Sequence, residues 1–537
     1  MKIIKTLLFT SSLALVLTSC GGGAEILSTP IENIDAIPLK EASLTEKEKQ
    51  TWGHLDLVKD TIPGMSVDKA YAELLNGKSG KTVIVAVIDS GIDIEHEDLD
   101  DVIWTNSKEI PGNNKDDDNN GYVDDIHGWN FLGAAYDEQL ELTRIVAAGD
   151  MSAPNYAEAK AELDKDLQRY SGLKTQYDKI YQQVVSADEA LTAHFKKSDY
   201  TKEEVKAIKT EDETLMQAVE TANFVFGNGM DSMASAKKQI GNGLEQIGDF
   251  VNYYYNVDHR GRKTNDNPDD LNDKPGYGDG NVSPVKKSES HGTHVAGIIA
   301  AERNNGKGVN GVANNVKIMS VRAVPNGDEY DKDIAMAIRY AVDNGAQIIN
   351  ASFGKYYSPH SDWVRDAIAY AGKNDVLFVN AAGNEGLDLD TKAVYPNDQV
   401  DNGPEVSDTF ITVGALEPKY GSGMIAGFSN YGKINVDVFA PGAKVYSTTP
   451  ENEYDTKGGT SMAAPAVAGI AALIRSYYPK LSASQVKQIL MDSGLPVATK
   501  VVVGGDSNDV RPFGELTKSG KMANAYNALI MAQQLSK

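Results

Sequence analysis

The sequence predicts an α/β protein: a three-layer fold with a mostly parallel sheet flanked by helices, interrupted by an all-α helical insert. Three observations carry that expectation. Continuous β-branched runs such as KTVIVAVIDSG (81–91), VKIMSVRAV (316–324), VLFVNAAGN (376–384) and TFITVGAL (409–416) lack in/out alternation, the pattern of strands buried on both faces. Helical stretches separate the later runs, and strand–helix alternation on this scale builds a parallel sheet covered by helices. Finally, residues 153–256 repeat apolar side chains every three or four positions and carry no strand signal.

Composition sets outer bounds. The 537 residues are 24% charged and 41% hydrophobic, which excludes collagen-like, purely coiled-coil and wholly disordered chains. With 52 Lys+Arg against 76 Asp+Glu the net charge is −24, which repels phosphate, argues against a nucleic-acid partner and invites hard cations. The single cysteine, Cys20, allows no internal disulfide and no cysteine-based zinc site. It follows Lys2, Lys5 and an apolar run from Leu7 to Leu17 that is too short to span a bilayer. The LTSC ending (17–20) resembles a bacterial lipobox. That resemblance implies a signal peptide over 1–19, lipidation of Cys20 and membrane attachment in the cell envelope, periplasmic or at the cell surface.

Along the chain, 20–50 reads as a tether of small and polar residues. Residues 51–149 read as the first part of the sheet domain, with one or two short helices between Leu55 and Leu75 and a strand ending at Asp89. Within 150–256, Leu163, Leu167, Tyr170, Leu173, Tyr177, Ile180, Val184, Ala187 and Leu191 mark one long amphipathic helix. Thr201 with Glu204 forms a capping box that opens a second helix, and Ile240, Leu244, Ile247, Val251 and Tyr254 mark a third. The stripe reads as the core of a helical hairpin, an arm able to meet a partner or a second copy. Residues 257–537 resume the sheet domain. HVAGIIAAE (294–302), DKDIAMAIRYAVDNG (331–345), WVRDAIAYAGKN (363–374) and SMAAPAVAGIAALIRSYYP (461–479) are helices, and QIINASFG (347–354) is a strand.

In such sheets, sites gather at the C-terminal ends of the strands. Asp89 ends a strand, His291 opens a helix in HGTHVAG, and Ser461 opens another in GGTSMAAP. Singly, these read as a turn residue, a surface imidazole and an N-cap. Together they supply what acyl transfer by serine needs: a hydroxyl, an imidazole to take its proton and a carboxylate to orient the imidazole. A hydroxyl at a helix N-terminus has amide donors beside it for an oxyanion, and Asn384 in NAAGN can add a side-chain donor.

VIDSGIDIEHEDL (87–99), HGTHVAG (291–297), AAGNEG (381–386) and GTSMAAP (459–465) resemble the four signature blocks of the subtilisin-like serine proteases. The resemblance covers residues 76–130 and 260–490. It implies Asp89 as the triad acid, His291 as the base, Ser461 as the nucleophile and Asn384 as the oxyanion side chain. It also implies that Ser352, Phe353 and Gly354 of ASFG pair with substrate backbone, and that Val394 of AVYP stands at the far wall of the primary pocket. The implied activity is endopeptidase hydrolysis of proteins or peptides, with no organic cofactor. Two alternatives remain open at this level: a silent fold used as a binding or assembly module through its insert, and an esterase or ligase on the same triad. The chain departs from the family pattern in the 202 residues from Asp89 to His291, in Ala464 and Ala466 around the helix proline, and in Val394 where glycine is common.

A second constellation is DDDNNGYVDD (116–125). Asp116, Asp118 and Asn120 alternate, Gly121 permits a sharp turn, Tyr122 offers a carbonyl and Asp124 or Asp125 closes the set, as in the start of a calcium loop. The expectation is a structural Ca2+. DNPDDLND (266–273) reads as a solvated acidic loop, and HGTH has neither the spacing nor the intervening Glu of a zinc helix.

Overall fold

The computed structural model describes residues 28–32, 34 and 37–537. Cys20 and the signal segment lie outside the described residues, among which no helix is long and apolar enough to cross a membrane.

The strands, in chain order, are β1 (Val83–Asp89), β2 (Gly128–Asn130), β3 (Val316–Arg322), β4 (Ile348–Ala351), β5 (Leu377–Ala381), β6 (Phe410–Leu416), β7 (Val438–Pro441), β8 (Val445–Thr449), β9 (Glu453–Lys457), β10 (Leu495–Pro496), β11 (Lys500–Val503), β12 (Asp506–Pro512) and β13 (Lys521–Met522). Nine form one sheet in the order β10-β13-β7-β6-β5-β4-β1-β3-β2. It is parallel except where β10 meets β13. β8–β9 and β11–β12 are separate antiparallel hairpins.

β1 shows why the strands read as unbroken apolar runs. Side chains alternate across a strand, so both faces must be apolar when both are covered. Val83, Val85 and Val87 enter one core with Val295, Ile299, Ala463 and Val467, whereas Ala86 and Ile88 enter the other with Ile334, Ile338, Val364 and Ile368. Helices His291–Ala300 and Thr460–Tyr477 therefore cover one face, and Asp331–Asp343 and Ser361–Lys373 cover the other.

The insert is helical: Tyr156–Phe195, Lys202–Ala207, Glu213–Gly227 and Met233–Asp249, with the Thr201–Glu204 capping box in place. Its apolar stripe divides into two clusters. The outer one packs Val184, Ala187, Leu191, Tyr200, Val205, Ala222, Phe226 and Met233 on one another. The inner one packs Leu142, Ala159, Leu163 and Tyr255 against Tyr357 of the sheet domain. A further short helix, Glu141–Ala147, precedes the arm and forms its root.

Two features depart from expectation. The 20–50 tether is not free along its length: Ile34 is fully buried in the main core, the Ile31 amide donates to Asn527 Oδ1 at 2.8 Å, and Glu46–Thr51 is a capped helix. An isolated isoleucine gives no periodicity, so its burial was not readable. The strands after residue 416 were also not foreseen. β7 is four residues ending in proline, and β9 and β12 are polar and largely exposed, so they are held by hairpin pairing rather than by an apolar pattern.

Candidate active site

Asp89 is the last residue of β1, and its carboxylate side chain is 2% exposed. It is held from three directions. The Ser90 amide donates to Oδ1 at 2.8 Å, and the Ala323 amide donates to the Asp89 carbonyl at 2.9 Å. Behind the loop, buried Arg322 donates to the Ser90 carbonyl at 3.0 Å and pairs with Glu289 at 2.7 Å. Glu289 lies two residues before His291, so Arg322, at the end of β3, joins the residue after Asp89 to the start of the histidine helix. This link was not foreseen; a buried arginine inside VKIMSVRAV was its only sequence signal.

His291 Nδ1 meets Asp89 Oδ1 at 2.8 Å and Oδ2 at 3.0 Å across 202 residues of sequence. The approach depends on Gly292, where a Cβ would sit 2.3 Å from the Gly91 carbonyl oxygen and 3.2 Å from Asp89 Cβ. Burial pulls the His291 pKa down, but the Asp89 charge and hydrogen bond outweigh it and hold the imidazole above its ordinary 6.5, with Lys457 opposing. The second histidine of HGTH is structural. His294 is buried with Nε2 3.1 Å from the Asp455 carbonyl, and burial holds its pKa down at about 3, so it stays neutral.

Ser461 lies in the first turn of helix Thr460–Tyr477, which packs against the histidine helix. Its hydroxyl donates to the Ser352 carbonyl at 3.1 Å rather than to His291, and Ser352 Oγ donates back to the Ser461 carbonyl at 2.9 Å. Nucleophile–base bonds are commonly loose before substrate binds. The reciprocal clamp places ASFG directly against Ser461. Asn384 is oriented by Thr460, another residue the sequence reading missed: its Oδ1 accepts from the Thr460 amide at 2.8 Å and hydroxyl at 3.1 Å. With Oδ1 fixed this way, Nδ2 is left for an oxyanion. The Ser461 amide, in the first helical turn, also lacks an intrahelical acceptor.

The pocket walls are close together. Val394 is buried, and a Cβ on Gly354 would stand 3.3 Å from its Cγ1 and 3.0 Å from the Tyr395 carbonyl oxygen. Lys355 and Tyr395 exchange both backbone hydrogen bonds at 2.9 Å, joining the ASFG and AVYP segments. Phe353 lines a small cavity with Ile334, Val364 and Pro396.

The acidic loop is assembled differently from its sequence pattern. Asp116 and Asp118 converge with Glu109, their nearest carboxylate oxygens within 4.8 Å of one another. Glu109 Oε1 accepts from the Asp117 and Asp118 amides, while its buried Oε2 has no partner. Asn120, Tyr122 and Asp124 are not part of that convergence, although Asp124 Oδ1 is also buried without a partner. Asn120 Oδ1 accepts from the Tyr122 amide at 2.8 Å, the Tyr122 ring packs between Trp129 and Tyr340, and Asp124 Oδ2 accepts from the Asn114 amide at 2.8 Å. Glu109 precedes the DDD motif by a loop, and spacing alone does not flag it. The 266–273 loop is not merely solvated: fully buried Lys332 donates to Asp266 at 2.7 Å and to the Asn267 and Asp273 carbonyls at 2.9 Å.

Comparison with known proteins agrees with this geometry. The chain is 44% identical over 188 residues to a thermophilic serine proteinase of Bacillus sp. (strain AK1), a match spanning 35% of this chain and 43% of that protein. It is 40% identical over 201 residues to subtilisin DY of Bacillus licheniformis, spanning 37% and 68%. To the cell wall-associated protease of Bacillus subtilis (strain 168) it is 34% identical over 228 residues, spanning 42% and 24%. The chain thus spans less than half the length of the first and third of these relatives. A profile of the Subtilase family matches residues 80–515, reaching across the insert to take in the aspartate, the histidine and the serine alike, and on that match the chain belongs to the subtilase family.

Proposed function

We propose that the protein is an extracytoplasmic serine endopeptidase working through an acyl-enzyme on Ser461. The observation that carries this reading is the 2.8 Å Asp89–His291 bond beside a serine in the first turn of a helix and an asparagine held by Thr460. Ser461 Oγ attacks the scissile carbonyl as His291 Nε2 takes its proton. Asp89, bonded to Nδ1, fixes the tautomer and stabilises the imidazolium. Charge on the carbonyl oxygen is met by Asn384 Nδ2 and the Ser461 amide. His291 then returns the proton to the leaving amine, and water repeats the cycle on the ester. Val394, whose Cγ1 stands 3.3 Å from the Cβ position of Gly354, narrows the primary pocket at its far wall and suits it to medium apolar side chains. A fluorophosphonate probe tests the assignment together with digestion of an unfolded protein: wild type labels and cuts, whereas Ser461→Ala loses several orders of magnitude of activity while staying folded. Substantial cleavage by pure Ser461→Ala would sink it.

We propose further that Glu109, Asp116 and Asp118 hold a structural calcium ion. Three oxygen ligands with one buried, unpartnered carboxylate oxygen suit a hard cation, and Lys108, 3.7 Å from Asp118, neutralises only part of the charge. Such an ion would tie the loop together away from the chemistry. The LTSC sequence supports attachment of the mature chain to the cell envelope through lipid on Cys20, which mass spectrometry of the N-terminal peptide would test.

A further inference from the structure

The insert leaves and returns to the sheet domain at one place. On the way out, the Glu138 amide donates to the Asn326 carbonyl at 2.9 Å and the Glu141 amide to Asp328 Oδ2 at 2.7 Å. On the way back, the Tyr254 hydroxyl donates to Asn326 Oδ1 at 2.5 Å. Between these anchors the root helix aims two charged side chains inward. Arg144 pairs with Glu141 at 2.6 Å and donates to the Asp328 and Glu329 carbonyls at 2.8 and 2.9 Å. Glu141 then reaches Lys355, the residue after ASFG, at 2.7 Å.

Lys355 is the hub. Its side chain is 1% exposed, and its ammonium is shared among Glu141, Asp331 at 2.9 Å and the Glu329 carbonyl at 2.8 Å. A lysine buried this deeply persists only because its charge is matched; Glu141 serves Lys355 and Arg144 at once, so removing its charge leaves two buried cations with Asp331 as the one carboxylate still bonded to Lys355. Its backbone is the bridge to Tyr395 described above. Two residues on, the Tyr357 hydroxyl donates to Glu162 at 2.8 Å, and its ring packs in the inner cluster of the insert. Every residue from Ser352 to Tyr357 is therefore at most three positions from a contact with the nucleophile on one side or with the insert on the other.

We propose that the root of the insert is a positioning element for the substrate wall. Glu141 and Arg144, acting through Lys355, hold 352–357 in register against Val394 and Tyr395, and so set how well the enzyme binds the acyl side of a polypeptide substrate. The outer part of the arm, with its separate core, has no part in this. The inference rests on the endopeptidase reading for its substrate and on the buried ion network for its mechanism.

The test uses the full chain with three variants: Glu141→Gln, which keeps shape and loses charge; Glu141→Asp, which restores charge at shorter reach; and replacement of 174–245 by a short Gly/Ser turn. Two readouts are taken. One is kcat and KM on peptides with one to four residues on the acyl side, and the other is amide hydrogen exchange over 352–357 and 393–396. In Glu141→Gln, KM for the four-residue peptide rises about tenfold, far more than for a single-residue ester, and exchange at both segments quickens. Glu141→Asp recovers part of both, and the truncated arm matches wild type in both. Unchanged KM and exchange in Glu141→Gln would overturn the inference. So would losses of equal size on ester and peptide, or a KM rise caused by the truncation. If wild type takes no fluorophosphonate label and cuts nothing, the endopeptidase reading fails, and the positioning inference is then judged by exchange alone.

Discussion

Substituting Gly292 by alanine should separate the triad's acid from its base without touching either side chain. The new Cβ would lie 2.3 Å from the Gly91 carbonyl oxygen, and that gap must open to at least 3.0 Å. Neither side yields by side-chain rotation, because the obstacle is backbone. The second obstacle, Asp89 Cβ at 3.2 Å, puts part of the push on the carboxylate residue itself. A shift of that size carries the 2.8 Å His291–Asp89 bond to the edge of hydrogen-bonding distance, about 3.5 Å. Misplacement of a catalytic group on this scale costs about 10²-fold in kcat/KM, and the overpacking costs about 1–3 kcal/mol of stability. The pH profile gives an independent signature. His291 acts when neutral, and Asp89 holds its pKa above 6.5, so the acid limb of wild type lies above that value; with Asp89 pushed away, the limb moves to lower pH. The assay is kcat/KM against pH on a peptide ester, with thermal unfolding alongside. A folded Gly292→Ala enzyme with full kcat/KM and an unmoved limb would refute the argument.

Asn384→Ala should raise the barrier by about 2.7–4 kcal/mol with little change in KM, and Thr460→Val should cost less because the Thr460 amide still orients Oδ1; equal losses, measured by steady-state kinetics, would mean that the amide bond counts for nothing. Calcium at a hundredfold excess over Kd should add about 2.7 kcal/mol of stability, with Glu109→Gln abolishing most of the melting-temperature drop on chelation; identical melting curves with and without chelator would leave a plain acidic loop. Buried His294 should make the protein acid-sensitive. Its pKa is about 3 when folded and near 6.5 when unfolded, so below 6.5 the unfolded chain binds the extra proton, and stability falls as pH drops from 6.5 toward 3 by on the order of 4 kcal/mol. His294→Gln, which can still donate to the Asp455 carbonyl, should flatten that slope in urea titrations at several pH values, and a slope unchanged in the variant would count against the assignment.

The sequence by itself determined the layered parallel fold and the identities of Asp89, His291, Ser461 and Asn384. Both are written locally: buried strands appear as unbroken apolar runs, and these four residues lie at or just beyond element ends, each inside a short glycine-bearing motif. The helical character of the insert was legible for the same reason, because a helix repeats its apolar face within a few residues. What tertiary structure alone decided are the partners that lie far apart in the chain. Thr460 orienting Asn384, Arg322 and Glu289 behind Asp89, Glu109 joining Asp116 and Asp118, and Glu141 reaching Lys355 are single polar residues without period or motif. Their roles come from charge and hydrogen-bond pairing in buried places, and that pairing exists only once the sheet has brought its strand ends together. The same reason accounts for the acidic loop and for the tether. Asn120 Oδ1 and Asp124 Oδ2 accept from backbone amides of the same loop, Glu109 rather than either of them gathers with Asp116 and Asp118, and the tether looked free because Ile34 shows its hydrophobic value only against a core built from distant segments.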